Sequence, residues 1–225
     1  MWYLLFKYVV IGPVLWVIGR PRITGMHHIP KSGPVILASN HRAVADSFFL
    51  ALMVRRRMTF VAKAEYFTRT GLEGWLMRWF LTAVGQVPID RSDADAAAGA
   101  LRTAERILRE GGIWGIYPEG TRSPDGRLYK GKTGVMRVAL MTGAPVLPVV
   151  MTGTERVNPR GSRRLRFGRV GITVGAPLDL ARFAELAQDQ RVVRAATDQL
   201  MAELHRASGQ EYVDEYARRD HPAAV

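Results

Sequence analysis

Apolar residues in this chain gather in short continuous runs, separated by longer stretches with helical spacing. The runs at 34–38 (PVILA), 58–62 (MTFVA), 86–89 (QVPI), 113–117 (IWGIY) and 145–150 (PVLPVV) are bounded by Gly, Pro or charge. Runs of that length without alternation predict strands buried on both faces. A further strand is expected late, at 170–175 (VGITVG). Between the runs, residues 93–110 place Ala97, Leu101, Ala104 and Leu108 at helical spacing, and Gly111-Gly112 ends the pattern. A second helix is expected over about 180–206. This alternation predicts an α/β fold: a single domain with a central, mostly parallel sheet flanked by helices. In such a sheet the carboxyl ends of the parallel strands share one edge, and ligands bind there.

The amino terminus breaks the alternation. "MWYLLFKYVVIGPVLWVIG" is apolar and aromatic over 19 residues. As one helix it would reach about 28 Å, close to the thickness of a bilayer core. Lys7 lies inside the stretch and Pro13 breaks or kinks it. No positive charge precedes the run and no small-residue cleavage site follows, so a retained segment is expected rather than a signal peptide. Residues 1–20 then form an interfacial helix that dips into one leaflet, with Trp2, Tyr3 and Trp16 at the interface and Lys7 reaching the headgroups. A buried core helix is the alternative. Residues 21–225 form the α/β domain. The stretch "LEGWLMRWF" (72–80) sets Trp75 and Trp79 on one helical face, which either packs into the core or meets the bilayer.

Charge narrows the ligand class. The formal net charge is +12, and Arg supplies 27 of the 32 basic residues. Guanidinium groups hold phosphate in a bidentate fork, so phosphorylated ligands, nucleic acid or an anionic surface fit. Six Arg fall within 155–169, which suits anionic lipid, the phosphates of a nucleotide-bearing substrate, or plain solvent. Cysteine is absent, which removes disulfides, thiolate metal sites and a Cys nucleophile. No metal is expected either, because His27-His28 precede the first long strand and His205 and His221 have no ligand spacing to His41.

One motif suggests a nucleotide. "GRLYKGKT" (126–133) satisfies the phosphate-loop pattern G-x-x-x-x-G-K-[ST]. A true P-loop needs a strand running directly into its first Gly. Here the nearest run stops at Tyr117, and a P-loop nucleotide-binding protein stays as the rival class. Lys130 and Lys132 could meet an anion by another geometry.

A second constellation carries more chemistry. In "ILASNHRAVADSFFL" (36–50), a strand delivers Asn40 and His41 into a loop, and Asp46 follows five residues after the His. On one helix the two would stand about 140° apart. They can touch only if His41 sits in the loop and Asp46 at the start of the next helix. Asp46 would then fix the imidazole tautomer and leave the other ring nitrogen as a base. The alternative makes Asp46 an N-cap and His41 a surface residue. "GQVPIDR" (85–91) ends on Arg91, and "YPEGTRS" (117–123) carries Glu119, Gly120, Thr121 and Arg122. If the strands are parallel, His41, Arg91 and Arg122 converge at one edge.

Taken together, these segments resemble the glycerolipid acyltransferases of the 1-acylglycerol-3-phosphate acyltransferase type. The family's N-H-x4-D motif matches Asn40–Asp46. The second and third motifs are similar to 85–91 and 117–123, with Tyr117 where Phe is commoner. The fourth, a Pro in an apolar strand, is similar to 146–150 around Pro148. A Lys-x-Gly after the third motif is matched by Lys132-Thr133-Gly134, which accounts for the P-loop look-alike. The resemblance implies transfer of a fatty acyl group from acyl-CoA or an acyl-carrier protein to the free hydroxyl of lysophosphatidic acid, with no further cofactor and no nucleic acid. Another lysophospholipid or glycerol 3-phosphate is the alternative acceptor. It implies His41 and Asp46 as the catalytic pair, with Arg91, Glu119, Gly120, Thr121 and Arg122 at the acceptor phosphate. Glu119 would orient an Arg or a hydroxyl, since a carboxylate repels phosphate. Pro148 would shape the acyl-donor groove or simply mark an edge strand. The setting implied is the cytoplasmic face of a membrane, with the protein peripheral or monotopic.

Overall fold

The structure is a computed structural model that describes residues 2–63, 70–71, 74–75, 78, 86–89, 94–162 and 164–218. Arg91 and Trp79 lie outside the described residues, as do the side chains of Trp2 and Tyr3. In chain order the helices are α1 (Trp2–Leu5), α2 (Ile11–Gly19), α3 (Ala45–Met53), α4 (Ala94–Arg109), α5 (Gly134–Thr142), α6 (Thr154–Val157) and α7 (Gln190–Ser208). The strands are β1 (Arg22–Thr24), β2 (Val35–Ser39), β3 (Met58–Lys63), β4 (Gln86–Ile89), β5 (Ile113–Ile116), β6 (Leu128–Tyr129), β7 (Val146–Thr152), β8 (Gly171–Val174) and β9 (Tyr212–Val213).

Seven of the described strands form one sheet in the order β1-β8-β7-β2-β5-β3-β4. From β7 to β4 every neighbour pair is parallel; β8 pairs antiparallel with β7, and β1 runs parallel to β8. All five residues of β2 are buried, as a central strand covered on both faces requires. Alternate residues feed two cores. Leu37, Leu147 and Val149 pack with Phe49 and Leu50 of α3 and Leu15 of α2. Ile36, Trp114 and Val146 pack with α4, α5 and α7 on the other side.

Because β2, β5 and β7 run the same way, the loops after them open on one edge, at the centre of the sheet. The expected helix over 180–206 is split. Residues Ala181–Leu186 form a 3-10 turn, and α7 starts afresh where the Asp189 carboxylate caps the Arg191 amide at 2.7 Å.

Two expectations need correction. Residues Phe6–Val10 wind as a π-helix, and the helix restarts beyond it, so Pro13 sits in the first turn of α2 where a missing N–H forfeits no bond. The wide turn brings the Lys7 carbonyl so near Gly12 that a Cβ there would stand 1.7 Å from it. Lys7 itself does not reach out to headgroups. It is buried, and its ammonium donates to the carbonyls of Val54 and Arg55 just past the C-terminus of α3. Burial lowers its pKa to about 8. A cation at that end also suits the helix dipole.

Around it the amino-terminal surface stays apolar: Leu4, Tyr8, Val9, Val14, Trp16 and Val17 are exposed. Trp75 is also exposed. Among the described residues no helix is long and apolar enough to cross a membrane.

Candidate active site

β2 ends at Ser39, and the chain turns sharply before α3. The turn is built on one carboxylate oxygen. Asp46 Oδ2 accepts the Arg42 amide at 2.6 Å, the Ala43 amide at 2.8 Å and the His41 Nδ1 proton at 2.9 Å. Asp46 is fully buried, and its Oδ1 has no partner among the described residues. The two backbone amides fix that oxygen in place, so it can receive only a protonated Nδ1. That tautomer leaves the lone pair on Nε2. The N-cap alternative is thus replaced by a turn clamp that also holds the imidazole.

Tyr117, at the end of β5, lies flat against His41, with ring centroids 3.8 Å apart and planes 9° apart. Its hydroxyl meets Ser47 Oγ at 2.9 Å, so Ser47 is engaged with the phenol. Burial, and then the Asp46 charge, raise the Tyr117 pKa well above its usual value, and the phenol stays neutral. The stack restricts the imidazole plane while the Asp46 bond restricts its in-plane rotation.

Glu119 takes a different role from the one expected. It is 1% exposed, and its two oxygens accept the backbone amides of His41 and Tyr129, each at 3.0 Å. It therefore ties the His41 turn to β6 and meets no Arg or hydroxyl among the described residues. Burial raises its pKa to about 7, against the two amide bonds, which favour the ionised form. A carboxyl that rises from 4.5 to about 7 on folding binds its proton more tightly in the native state. Stability from this group is complete below pH 4.5 and is lost as pH rises to about 7. The expected slope amounts to about 3 kcal/mol at most. Denaturant melts from pH 4 to 8 should show it, and Glu119→Gln should flatten it.

The third-motif loop folds back onto the same turn. The Ser123 amide donates to the His41 carbonyl at 2.8 Å. Arg122 is therefore one residue from a direct contact with His41. No described residue is hydrogen-bonded or ion-paired to its half-buried side chain. Thr121 is half-buried beside it. Gly120 has φ +73°, and a Cβ there would sit 3.1 Å from the Lys132 chain, so Lys132 crosses directly over it. The Lys132 amide also donates to the Pro118 carbonyl at 2.8 Å. Arg122, Thr121, Gly120 and Lys132 thus share the edge with His41.

Lys130 does not join them. It pairs with Asp214 at 3.0 Å, away from the loop. Pro148 is buried in mid-sheet, with β2 and β8 on either side, and its ring fills the space a Gly175 side chain would need. It is therefore not at a sheet edge.

The P-loop reading fails on the same geometry. Residues 128–129 inside the octapeptide are β6, paired with β9, so the segment does not wrap around a phosphate. Among the described residues no cluster of His and carboxylates could hold a metal ion.

Several contributors were not among the site residues expected from the sequence. Arg42 lies at ion-pair distance, 3.3 Å, from Glu155 of α6. Arg160, from the Arg-rich stretch, donates to the Ser123 carbonyl at 3.0 Å. Gln210, close to the end of the described chain, bonds the Asn40 side chain.

A buried carboxylate, the imidazole it holds and a basic loop thus meet at the carboxyl edge of a parallel sheet. The chain belongs to the acyltransferase family, which it matches over residues 20–152. It is 30% identical over 171 residues, 75% of its length, to the chloroplastic 1-acyl-sn-glycerol-3-phosphate acyltransferase LPAT1 of Arabidopsis thaliana. It is 34% identical over 166 residues, 72% of its length, to a 1-acyl-sn-glycerol-3-phosphate acyltransferase of Limnanthes douglasii. The chain spans 46% and 56% of these two relatives, about half their length. The crystal structure of the 1-acyl-sn-glycerophosphate (LPA) acyltransferase PlsC from Thermotoga maritima superposes with a TM-score of 0.70 at 26% identity, covering 91% of this chain and 79% of that one.

Proposed function

We propose that this protein transfers a fatty acyl group from a thioester to the free hydroxyl of 1-acylglycerol 3-phosphate, giving phosphatidic acid. The observation that supports this reading best is the Ser123–His41 backbone hydrogen bond, which joins the loop carrying Arg122 to the turn of the candidate base. The relatives named above carry the same activity in their names.

In this mechanism the acceptor phosphate sits against Arg122 and Lys132. His41 Nε2 takes the proton from the acceptor hydroxyl as its oxygen attacks the thioester carbonyl. Asp46 stabilises the imidazolium that forms. The new C–O bond is made, the C–S bond breaks as the tetrahedral intermediate collapses, and the imidazolium returns the proton to the thiolate. No covalent acyl-enzyme is required: cysteine is absent and Ser47 is bonded to Tyr117. The donor is acyl-CoA or an acyl-carrier protein. Base catalysis contributes about 10²- to 10⁴-fold, and the rest comes from holding the two substrates together.

The exposed apolar residues of 1–20 support contact with the membrane that supplies the acceptor and takes up the product, at the cytoplasmic face. Arg164 and Arg166, exposed beside exposed Leu165 and Phe167, suit the same anionic surface. Arg91 belongs to this proposal by resemblance alone.

Acceptor preference tests the reading. Thiol release from a long-chain acyl-CoA should depend on lysophosphatidic acid and be much slower with lysophosphatidylcholine. Equal rates would remove the phosphate site from the account, and a preference for glycerol 3-phosphate would move the enzyme one acylation earlier. Arg122→Ala should raise the acceptor KM by about tenfold or more, as loss of a charge-assisted hydrogen bond does, with kcat little changed. An unchanged KM would place the phosphate elsewhere.

A further inference from the structure

The match to the family ends at residue 152, yet the segment after α7 returns to the site. Asn40, immediately before His41, is fully buried. Its Oδ1 accepts the Met151 amide at 2.7 Å, and its Nδ2 donates to the Met151 carbonyl at 3.1 Å. Met151 thereby fixes which end of the amide is oxygen, and one Nδ2 proton remains. That proton goes to Gln210 Oε1 at 2.6 Å. The Gln210 Nε2 donates in turn to the carbonyl of Gly126, also at 2.6 Å. Gly126 closes the third-motif loop just before β6.

Gln210 is itself held on both sides. Its carbonyl meets His205 Nδ1 at 2.6 Å, at the end of α7. Directly after it, the Leu128 amide donates to the Glu211 carbonyl at 2.8 Å and the Lys130 amide to the Val213 carbonyl at 3.0 Å. Residues 209–213 therefore strap β6 in place, and β6 carries the Tyr129 amide that shares Glu119 with His41.

We propose that Gln210 is a positioning residue for His41, and that the strap 209–213 is a working part of the catalytic apparatus. The side-chain amide of Gln210 is a buried cross-link between the turn that carries His41 and the exit of the loop that carries Arg122, added to those made by Glu119 and the Ser123 amide. Removing it leaves a buried Asn40 N–H and the Gly126 carbonyl without partners, and loosens the two loops relative to each other. A base displaced by a fraction of an ångström affects the chemical step more than the binding of substrate.

This inference rests on the proposed acyl transfer for its kinetic part only. Gln210→Ala and Gln210→Leu should lower kcat for thiol release about 10- to 100-fold, with the acceptor KM within about twofold. Hydrogen exchange gives a readout that needs no turnover. In either variant the His41 and Ser123 amides should exchange at least about tenfold faster while the amides of β2 keep their wild-type rates. In the wild type, the strap-bonded amides of Leu128 and Lys130 should open together with those of His41 and Ser123, as one cooperative unit. That last measurement decides the question should neither variant fold. Independent opening in the wild type, unchanged exchange in a folded variant, or wild-type kcat in a folded variant overturns the proposal. A wild-type protein that turns over no acyl thioester refutes the proposed function instead, and the exchange data still judge the strap.

Discussion

Replacing His41 with alanine is expected to reduce acyl transfer by about 10²- to 10⁴-fold while the fold persists. The ring is half-buried, and among the described residues it is held by one hydrogen bond and one stacked face. The backbone contacts of residue 41, to Glu119 and Ser123, survive the substitution. Stability should therefore fall far less than activity. Thiol release at saturating acceptor, with the melting temperature measured alongside, separates the two effects. A folded His41→Ala protein with wild-type kcat would leave the imidazole no part in the chemistry.

The second large effect is expected from Asp46→Asn. The Arg42 and Ala43 amides demand an oxygen where Oδ2 now stands, so the new amide is forced to keep its oxygen toward His41. The tautomer survives, but the charge that would stabilise the imidazolium in the proposed mechanism is gone. The new NH2 group falls where Oδ1 lies buried without a partner. We expect kcat to drop about 10²- to 10³-fold with the acceptor KM nearly unchanged. An unsatisfied buried amide should also cost about 1–3 kcal/mol of stability. A folded variant with full kcat would reduce Asp46 to the residue that shapes the turn.

Much of this architecture was legible because buried parallel strands write continuous apolar runs. β2, β3, β4, β5 and β7 all coincide with such runs, and α4 with the clearest helical period. The short strands were not legible. β6 and β9 have two residues each, too few for any period, and they pair across the length of the chain. That is why "GRLYKGKT" could be read as a phosphate loop.

At the site, spacing placed His41 in the loop and Asp46 on the helix, because five residues leave no other way for them to touch. The partners of Glu119 were hidden, since backbone amides leave no mark in a sequence. Gln210 was hidden for the same reason, as one polar residue beyond a helix end. Lys7 misled because a lysine inside an apolar run satisfies a membrane headgroup and a helix C-terminus equally well, and only the packing of α3 beside it decides.

The central claim is direct transfer from thioester to hydroxyl at the His41–Asp46 pair. Its most direct test follows thiol release from a long-chain acyl-CoA, with and without lysophosphatidic acid, while phosphatidic acid is quantified by mass spectrometry. Release is expected only when acceptor is present, with one phosphatidic acid formed per thiol. Release that proceeds equally fast without acceptor, yielding free fatty acid, would contradict it.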